Sequence, residues 1–573
     1  MTHVSKDFDG GYYMIQEDIM RCGIFKHSGS NPNAISDDAL RTLNALGATP
    51  KRINQRVFAV LNEAWMAGDQ IAGLPSAHDP VVPGRKEDEE WEDMSKDEQS
   101  EHKASREEAH MEIVRLGSSR KQFLDKLSVA REMADHPEFY EPFFLDFRGR
   151  FYPMCETFHS QGDDVCKGLI EFARGKPLGS RGLYWLAVRA ANCFGEDKLP
   201  LDERYQWTLD HLDQIIECAM DPLDGSRWWT QADEPWGFLA TCFELDEATA
   251  LGDRSVEYVS HLAIPLDGSC NGLQHLSAMS KDPVGAKATN LMARAQREDI
   301  YLEVAASARR ILASDITNGV EWSAQWLAVL EDTAKGRKVV KRAVMTTPYG
   351  VTERGIATQL YKDGHVKLLA GYKEMTKPEK WAAASYLKDV IVKALSETIA
   401  AAKQVMAWIQ TCAEKMADQN VPLVWKTPNN NLITQSYFNL ARSKVKTLYG
   451  EQVLWSEDPL SGLNPKKQAL ASAPNLIHSF DAAHLSRTVN ALADAGNSDF
   501  LMIHDSFGVH ACDTDQLALT LRKEFVDIYS TNWLDTLHET WAEACPSIPH
   551  WKEFLGQGDF DVAEVLRSDF FFS

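Results

Sequence analysis

Two carboxylates stand out by where they sit. In Ile264–Met279, IPLDGSCNGLQHLSAM, an apolar β-type run ends at Asp267-Gly268 and a stretch of small residues leads into a helix. In Leu501–His510, LMIHDSFGVH, two short apolar runs flank His504-Asp505-Ser506, with Gly508 just beyond. That pattern fits a tight hairpin carrying Asp505 at its tip. Between them in sequence, GRKVVKRAVMTTPYG (Gly336–Gly350) places Arg337 and Lys341 four apart, on one face of a helix. It closes on Pro348-Tyr349-Gly350, with the proline disturbing the last turn. An Asp at a strand end, followed by an accessible glycine carbonyl, offers two oxygens to a hard cation. Two cations on a helical face can grip a triphosphate, and a ring at the helix end can stack on a base.

Singly, each feature has a plainer reading. Asp505 is then a turn residue bonding its own backbone, Asp267 a turn or cap residue, and the basic helix a solvated face. Together and in this order they fit two-metal phosphoryl chemistry. One ion lowers the pKa of an attacking hydroxyl, and both stabilise the pentacovalent phosphate and its leaving pyrophosphate.

The elements that must hold these groups are legible in outline. Residues 1–50 read as irregular, with Gly10-Gly11 and SGSNPNAIS as loop signals, and 50–72 as helical. Gly73–Glu101 is punctuated by proline and then acidic, an exposed connection. A long helical pattern runs from Lys96 to Met133, acidic first and then carrying Arg115, Arg120, Lys121, Lys126 and Arg131. It reads either as a solvated surface helix or as a projection whose basic half brushes a polyanion. FFLDFRGRFYPM (Phe143–Met154) reads as a strand with Arg148 and Arg150 on one face, suited to phosphate contact. Residues 290–420 are mostly helical, and VPLVWKTPNNNLITQSYF is a hairpin turning at Asn429–Asn431. Asn439–Lys467 reads as a loop-rich, basic insertion, followed by helix, hairpin and helix.

Bulk properties bound the answer. At 573 residues the chain exceeds one simple core, and at roughly 150 residues per domain about four lobes are expected. Apolar content of 44% and charged content of 25% are ordinary for a globular protein. No apolar run is long enough to span a membrane, and MTHVSKDFDGGYY has neither a signal-peptide nor a transit-peptide character. Ten cysteines are scattered singly without zinc spacing, which suits a reducing, cytoplasmic setting. The net charge of −23 argues against indiscriminate coating of nucleic acid and leaves a locally basic channel open.

On the motifs DGSCNGLQHLSAM, Arg337…Lys341-Arg342…Met345-Thr346…Tyr349-Gly350 and HDSFG, the chain resembles the single-subunit, bacteriophage-type DNA-directed RNA polymerases, whose relatives also transcribe mitochondrial DNA. DFRGRFYP, KGLIEFARGKPLG, ANCFGEDKLP, EDIYLEVA, APNLIHSFDAAHL and the terminal SDFFFS look like further blocks in family order, covering the chain from about residue 50 onward.

The resemblance implies an α+β, predominantly helical right-hand fold. Residues 1–50 would be a remnant N-terminal segment, 51–138 a thumb, 139–295 and 479–573 a palm with a small antiparallel sheet, and 296–478 helical fingers. The insertion 439–467 falls where the family keeps its promoter-specificity loop. It implies two Mg2+ held by Asp267, Asp505 and the Gly268 carbonyl. Arg337, Lys341 and Lys198 would bind the incoming triphosphate, and Tyr349 with His478 would favour ribonucleotides, with Tyr301 near the same pocket. Lys341 and Tyr349 would join the two aspartates in catalysis. Arg148, Arg150, Arg342, Gly350 and His504 would meet template or RNA–DNA hybrid. The implied partners are duplex DNA template and promoter, nascent RNA and rNTPs. The family's large N-terminal promoter-gripping domain has almost no counterpart here, which leaves open a split polymerase whose second subunit supplies it, a naturally minimal enzyme, or a shortened chain. Of these, a second subunit for promoter opening is the expectation carried forward.

A related right-hand DNA polymerase is the enzyme rival, disfavoured by DGSCNGLQH and by Ser506 after His504-Asp505. A non-catalytic DNA-binding relative is the rival from another class, and it would require the loss of a catalytic carboxylate or phosphate-binding cation.

Overall fold

The computed structural model describes residues 19–21, 35–86, 88–448, 450–556 and 558–573. Most of the expected irregular segment 1–50 lies outside these residues, but Asp37–Gly47 is a helix, capped where Ser36 Oγ accepts from the Ala39 N–H. The helix expected over 50–72 divides. Pro50–Ile53 is a strand between Phe139–Tyr140 and Ile170–Phe172, and Gln55–Ala67 is the helix, with Asn54 as its cap. Tertiary pairing decides this: Lys51 in the strand is buried and ion-paired to Glu141, a contact no local pattern announces.

The long helix is Lys96–Ala134, 39 residues, or about 58 Å at 1.5 Å per residue. Ser95 and Glu98 close a capping box at its start. In its basic half Arg120 pairs with Asp79 at 2.7 Å and Lys126 with Asp163 at 2.5 Å, so part of that charge is spent within the protein. Residues 143–154 are not one strand. Phe143–Asp146 and Phe151–Pro153 form a hairpin, with Arg148 and Arg150 in the turn around Gly149 at φ +88°. Gly149 meets the steric need there, since a side chain would both strain that backbone and approach Asn431.

From Ile300 to Asp418 the chain is mostly helical, as expected, with the basic segment as the helix Thr333–Thr346. Leu423–Lys426 and Leu432–Gln435 make the expected hairpin. The insertion after it is not loop-rich: Leu440–Thr447 and Gly450–Glu457 form an eight-rung antiparallel ribbon. Both faces of that ribbon meet solvent, so it carries no apolar/polar alternation to read. The 30-residue helix Pro465–Asp494 then runs through the core, burying Leu476, Ile477 and Phe480. The fold is thus α+β and predominantly helical, with small sheets set among helices. None of its helices within the described residues is long and apolar enough to cross a membrane.

Candidate active site

Three antiparallel strands position both carboxylates: Leu501–Ile503, Ser506–His510 and Ala263–Asp267, in that order. Leu266, Phe507 and Val509 turn to the core, so Asp267 is left on the opposite face. Ser506 lies in register with Asp267, and Asp505 is the residue just before it. The two aspartates therefore sit side by side at one edge of the sheet. His504 at φ +51° takes the turn, and the Gly268 N–H donates to the Asp505 carbonyl at 3.1 Å. Buried Phe572 bridges Gly268, and the Ser573 N–H donates to the Asp267 carbonyl at 3.2 Å, so the terminal SDFFFS segment buttresses the same corner. A Cβ on Gly268 would stand 3.1 Å from the Phe572 ring and 3.2 Å from Gln274 Oε1, which accounts for glycine there.

Both carboxyls are pushed up from their ordinary value. Asp267 stands at the bottom of a cleft, where its oxygens reach water while protein surrounds it on most sides. That desolvation raises its pKa, a Ser506 hydrogen bond pulls the other way, and Asp505 adds repulsion. Desolvation also raises Asp505, with repulsion from buried Asp481 next. Two crowded carboxylates beside a carbonyl that accepts no hydrogen bond among the described residues are an oxygen-only donor set, which suits a hard divalent cation. No third His, Cys, Asp or Glu completes a cage among the described residues. That fits Mg2+, which keeps waters and substrate phosphates as its other ligands. The adjoining cavity, about 250 Å3, is lined by Lys167, Glu234, Asp267, Asp505 and Ser506 among others. A larger cavity of about 810 Å3 lies elsewhere, around Arg52, Glu171 and Glu247. There Arg52 pairs with Glu171 and Arg56 with Glu247, whereas the smaller cavity is the one that holds both aspartates.

The basic helix Thr333–Thr346 presents Arg337 and Lys341 as its spacing predicts. Arg337 pairs with Asp299 at 2.6 Å and lies over the Tyr301 ring, 5.0 Å from its centroid. Asp299 also caps the helix Ile300–Thr317, so one carboxylate sets both Tyr301 and Arg337. Lys341 is exposed and has no ion pair among the described residues. Lys198 is exposed beside Asp197 at 2.8 Å. Arg297 ties that loop to the corner by donating to the Asp197 carbonyl and, at 3.3 Å, to Ser269 Oγ. Arg342 turns to another side of the helix and pairs with Asp363 at 2.5 Å. It is not gathered with the others.

Tyr349 reaches the site through two glycines and a proline. Pro474, inside the helix Pro465–Asp494, cannot donate to the Leu470 carbonyl. Gly350, at φ +73°, packs there, where a Cβ would stand 3.0 Å from that oxygen. One turn on from Pro474 is His478, and the Tyr349 and His478 rings lie 4.7 Å apart at 31°. Gly272 leaves room for the Tyr349 ring, since a Cβ there would approach its hydroxyl to 3.0 Å. Arg148 and Arg150 lie behind this pair. Arg150 makes a two-point ion pair with buried Asp481, and Arg148 pairs with Asp146 at 2.6 Å and donates to His478 Nδ1 at 2.6 Å. Desolvation, with the two arginines, pushes His478 down to about 2 and His504 down to about 3. Both rings are therefore neutral.

Sequence reasoning did not single out Lys167, Glu234, Arg297, Asp299 or Asp481. Lys167, Asp299 and Asp481 lie in blocks quoted above, yet their roles rest on partners 67, 38 and 331 residues away.

The DNA-dependent RNA polymerase family model matches residues 176–554. DNA-directed RNA polymerase 3, chloroplastic, of Nicotiana sylvestris is 36% identical over 571 residues, 98% of this chain and 57% of that protein. DNA-directed RNA polymerase 1, mitochondrial, of Arabidopsis thaliana is 34% identical over 575 residues, covering 98% and 57%. DNA-directed RNA polymerase 2, chloroplastic/mitochondrial, of the same plant is 37% identical over 551 residues, covering 95% and 53%. These relatives are organellar by name, whereas the composition suggested a cytoplasmic setting. The chain spans a little over half their length. On the family model and these relatives together, this chain belongs to the DNA-dependent RNA polymerase family.

Proposed function

We propose that these residues form the nucleotidyl-transfer core of a DNA-directed RNA polymerase. The core adds ribonucleotides to an RNA 3′-hydroxyl on a DNA template and releases pyrophosphate. The observation that carries the reading is the pairing of Asp267 with Ser506, which sets Asp505 beside Asp267 on a rigid sheet edge. Asp267, Asp505 and the Gly268 carbonyl would hold two Mg2+, which supply Lewis-acid activation of the hydroxyl and charge neutralisation at the phosphate. Arg337, Lys341 and Lys198 bind the triphosphate and take up charge as pyrophosphate departs. Tyr349 and His478 frame the nucleoside, with Tyr301 beside Arg337 at the pocket wall. The helix Lys96–Ala134 serves as thumb, and the strands Leu440–Thr447 and Gly450–Glu457 as the element that meets promoter DNA.

The test is extension of an RNA primer on a pre-melted DNA scaffold. The chain should extend it with rNTPs in preference to dNTPs, which separates an RNA from a DNA polymerase. Asp267→Asn and Asp505→Asn should each abolish extension, which separates an enzyme from a non-catalytic relative. Specific initiation on duplex promoter DNA should require a promoter-gripping activity from outside these residues. Vigorous initiation by residues 1–573 alone would refute that part.

A further inference from the structure

We infer that Arg148 is a positioning residue that fixes His478 as its Nε2–H tautomer, so that the ring edge facing the nucleotide pocket is a hydrogen-bond donor. The argument is one of donor accounting. A guanidinium has five N–H donors, no acceptor and no accessible neutral state. Arg148 spends Nε and Nη2 on Asp146 at 2.8 and 2.6 Å, a second Nη2 hydrogen toward the Tyr152 hydroxyl at 3.5 Å, and Nη1 on His478 Nδ1 at 2.6 Å. Four of its five donors are thereby committed, which leaves little for a phosphate. Because the partner can only donate, Nδ1 must carry the lone pair, and the imidazole proton sits on Nε2.

The geometry holds this arrangement from both sides. Asp146 Oδ1 also accepts the backbone N–H groups of Arg148 and Arg150, at 2.9 and 3.1 Å, so the turn that aims Arg148 is fixed by the carboxylate that binds its side chain. Tyr349, seated by Gly272 and Gly350, lies against the imidazole and limits its rotation. His478 Nε2 has no hydrogen-bond partner among the described residues, and it is not among their buried unpaired atoms. A donor that is fixed, unspent and accessible selects for an acceptor on its ligand. On the polymerase reading above, that acceptor is an oxygen of the incoming nucleotide, and its ribose hydroxyl oxygen is the one a deoxynucleotide lacks. The acidic member of the cluster, Asp146, is bonded to Arg148 and to the turn that carries it. It acts through Arg148, and Arg148 acts through His478.

The experiment has two arms, and the first does not depend on polymerase activity. Long-range 1H–15N spectra of the full chain labelled with 15N-histidine, with His478 assigned by its loss in His478→Gln, should show the proton on Nε2. A proton on Nδ1, or on both nitrogens near neutral pH, would overturn the inference even if Arg148→Leu fails to fold. In the second arm, Arg148→Leu should give mixed tautomers and lower the rNTP-over-dNTP preference on a primed scaffold about tenfold, the scale of one oriented hydrogen bond. Arg148→Lys, which keeps a donor at Nδ1, should recover most of that preference. A folded Arg148→Leu protein that keeps both the Nε2–H signal and the full ribose preference would also overturn it. Absence of any extension by the wild-type chain would strike the polymerase reading and leave the first arm standing.

Discussion

The Gly268 N–H donates to the Asp505 carbonyl at 3.1 Å, so the residue after one carboxylate is bonded to the backbone of the other. Neither aspartate can move away without breaking the hydrogen-bonded strand edge. The strand pairing therefore keeps the two backbones side by side, and the Asp505 charge adds to the causes that raise Asp267.

Neutralising one of them should separate function from stability. Asp267→Asn keeps the shape, removes the charge and should cut primer extension by about 10²–10³-fold or more. Without divalent cation the variant should melt no lower than wild type, because a repulsive, desolvated charge has gone. Mg2+ should raise the wild-type melting temperature and leave that of the variant nearly unchanged. Thermal unfolding with and without Mg2+, beside scaffold extension, checks both.

The triphosphate assignment predicts a position-specific effect along one helix. Lys341→Ala should raise KM for rNTPs about tenfold, the scale of losing one charge-assisted contact. Lys335→Ala, which removes a cation paired with Asp332 at 2.9 Å near the helix start, should stay within about twofold. Equal effects of the two would mean that the helix acts only through its general charge.

Gly350 has a conformational reason to be glycine. Gly350→Ala meets a left-handed φ of +73° and the Leu470 oxygen at 3.0 Å. Its cost should be about 1–2 kcal/mol or more, read from denaturant midpoints. The displaced Tyr349 should also weaken nucleotide binding, so KM should rise along with the loss of stability. A variant as stable and active as wild type would remove Gly350 from the account of how Tyr349 is seated.

Buried neutral histidines should make the protein acid-sensitive early. Desolvation is the leading cause that lowers His478 to about 2, His484 to about 4 and His275 well below its ordinary value. Unfolded histidine takes up its proton near 6.5. Between 6.5 and these lower values the unfolded state binds more protons than the folded one. The stability these rings contribute is thus complete above about 6.5 and falls as pH drops below it. Urea midpoints should decline between pH 7.5 and 5.5, with net proton uptake on unfolding. His484→Gln should flatten the decline.

The sequence was most informative where the chemistry is local. Asp267 at a strand end, Asp505 at a hairpin tip, Arg337 and Lys341 on one helical face, and the long helix from about Lys96 to Met133 follow from local periodicity and turn residues. The motifs in their order also sufficed to mark the family. Tertiary structure decided what those residues do to one another. It split the segment after Pro50 because buried Lys51 finds Glu141, and it folded the expected strand at 143–154 back on itself around Gly149. It made a ribbon of a segment whose two wet faces leave no alternation. It also converted Arg148 from a free cation into the partner of Asp146 and His478, 330 residues away in sequence. Side-chain type is local, but whether a charge is spent or available depends on which distant group shares its pocket, and only the folded chain brings those groups together.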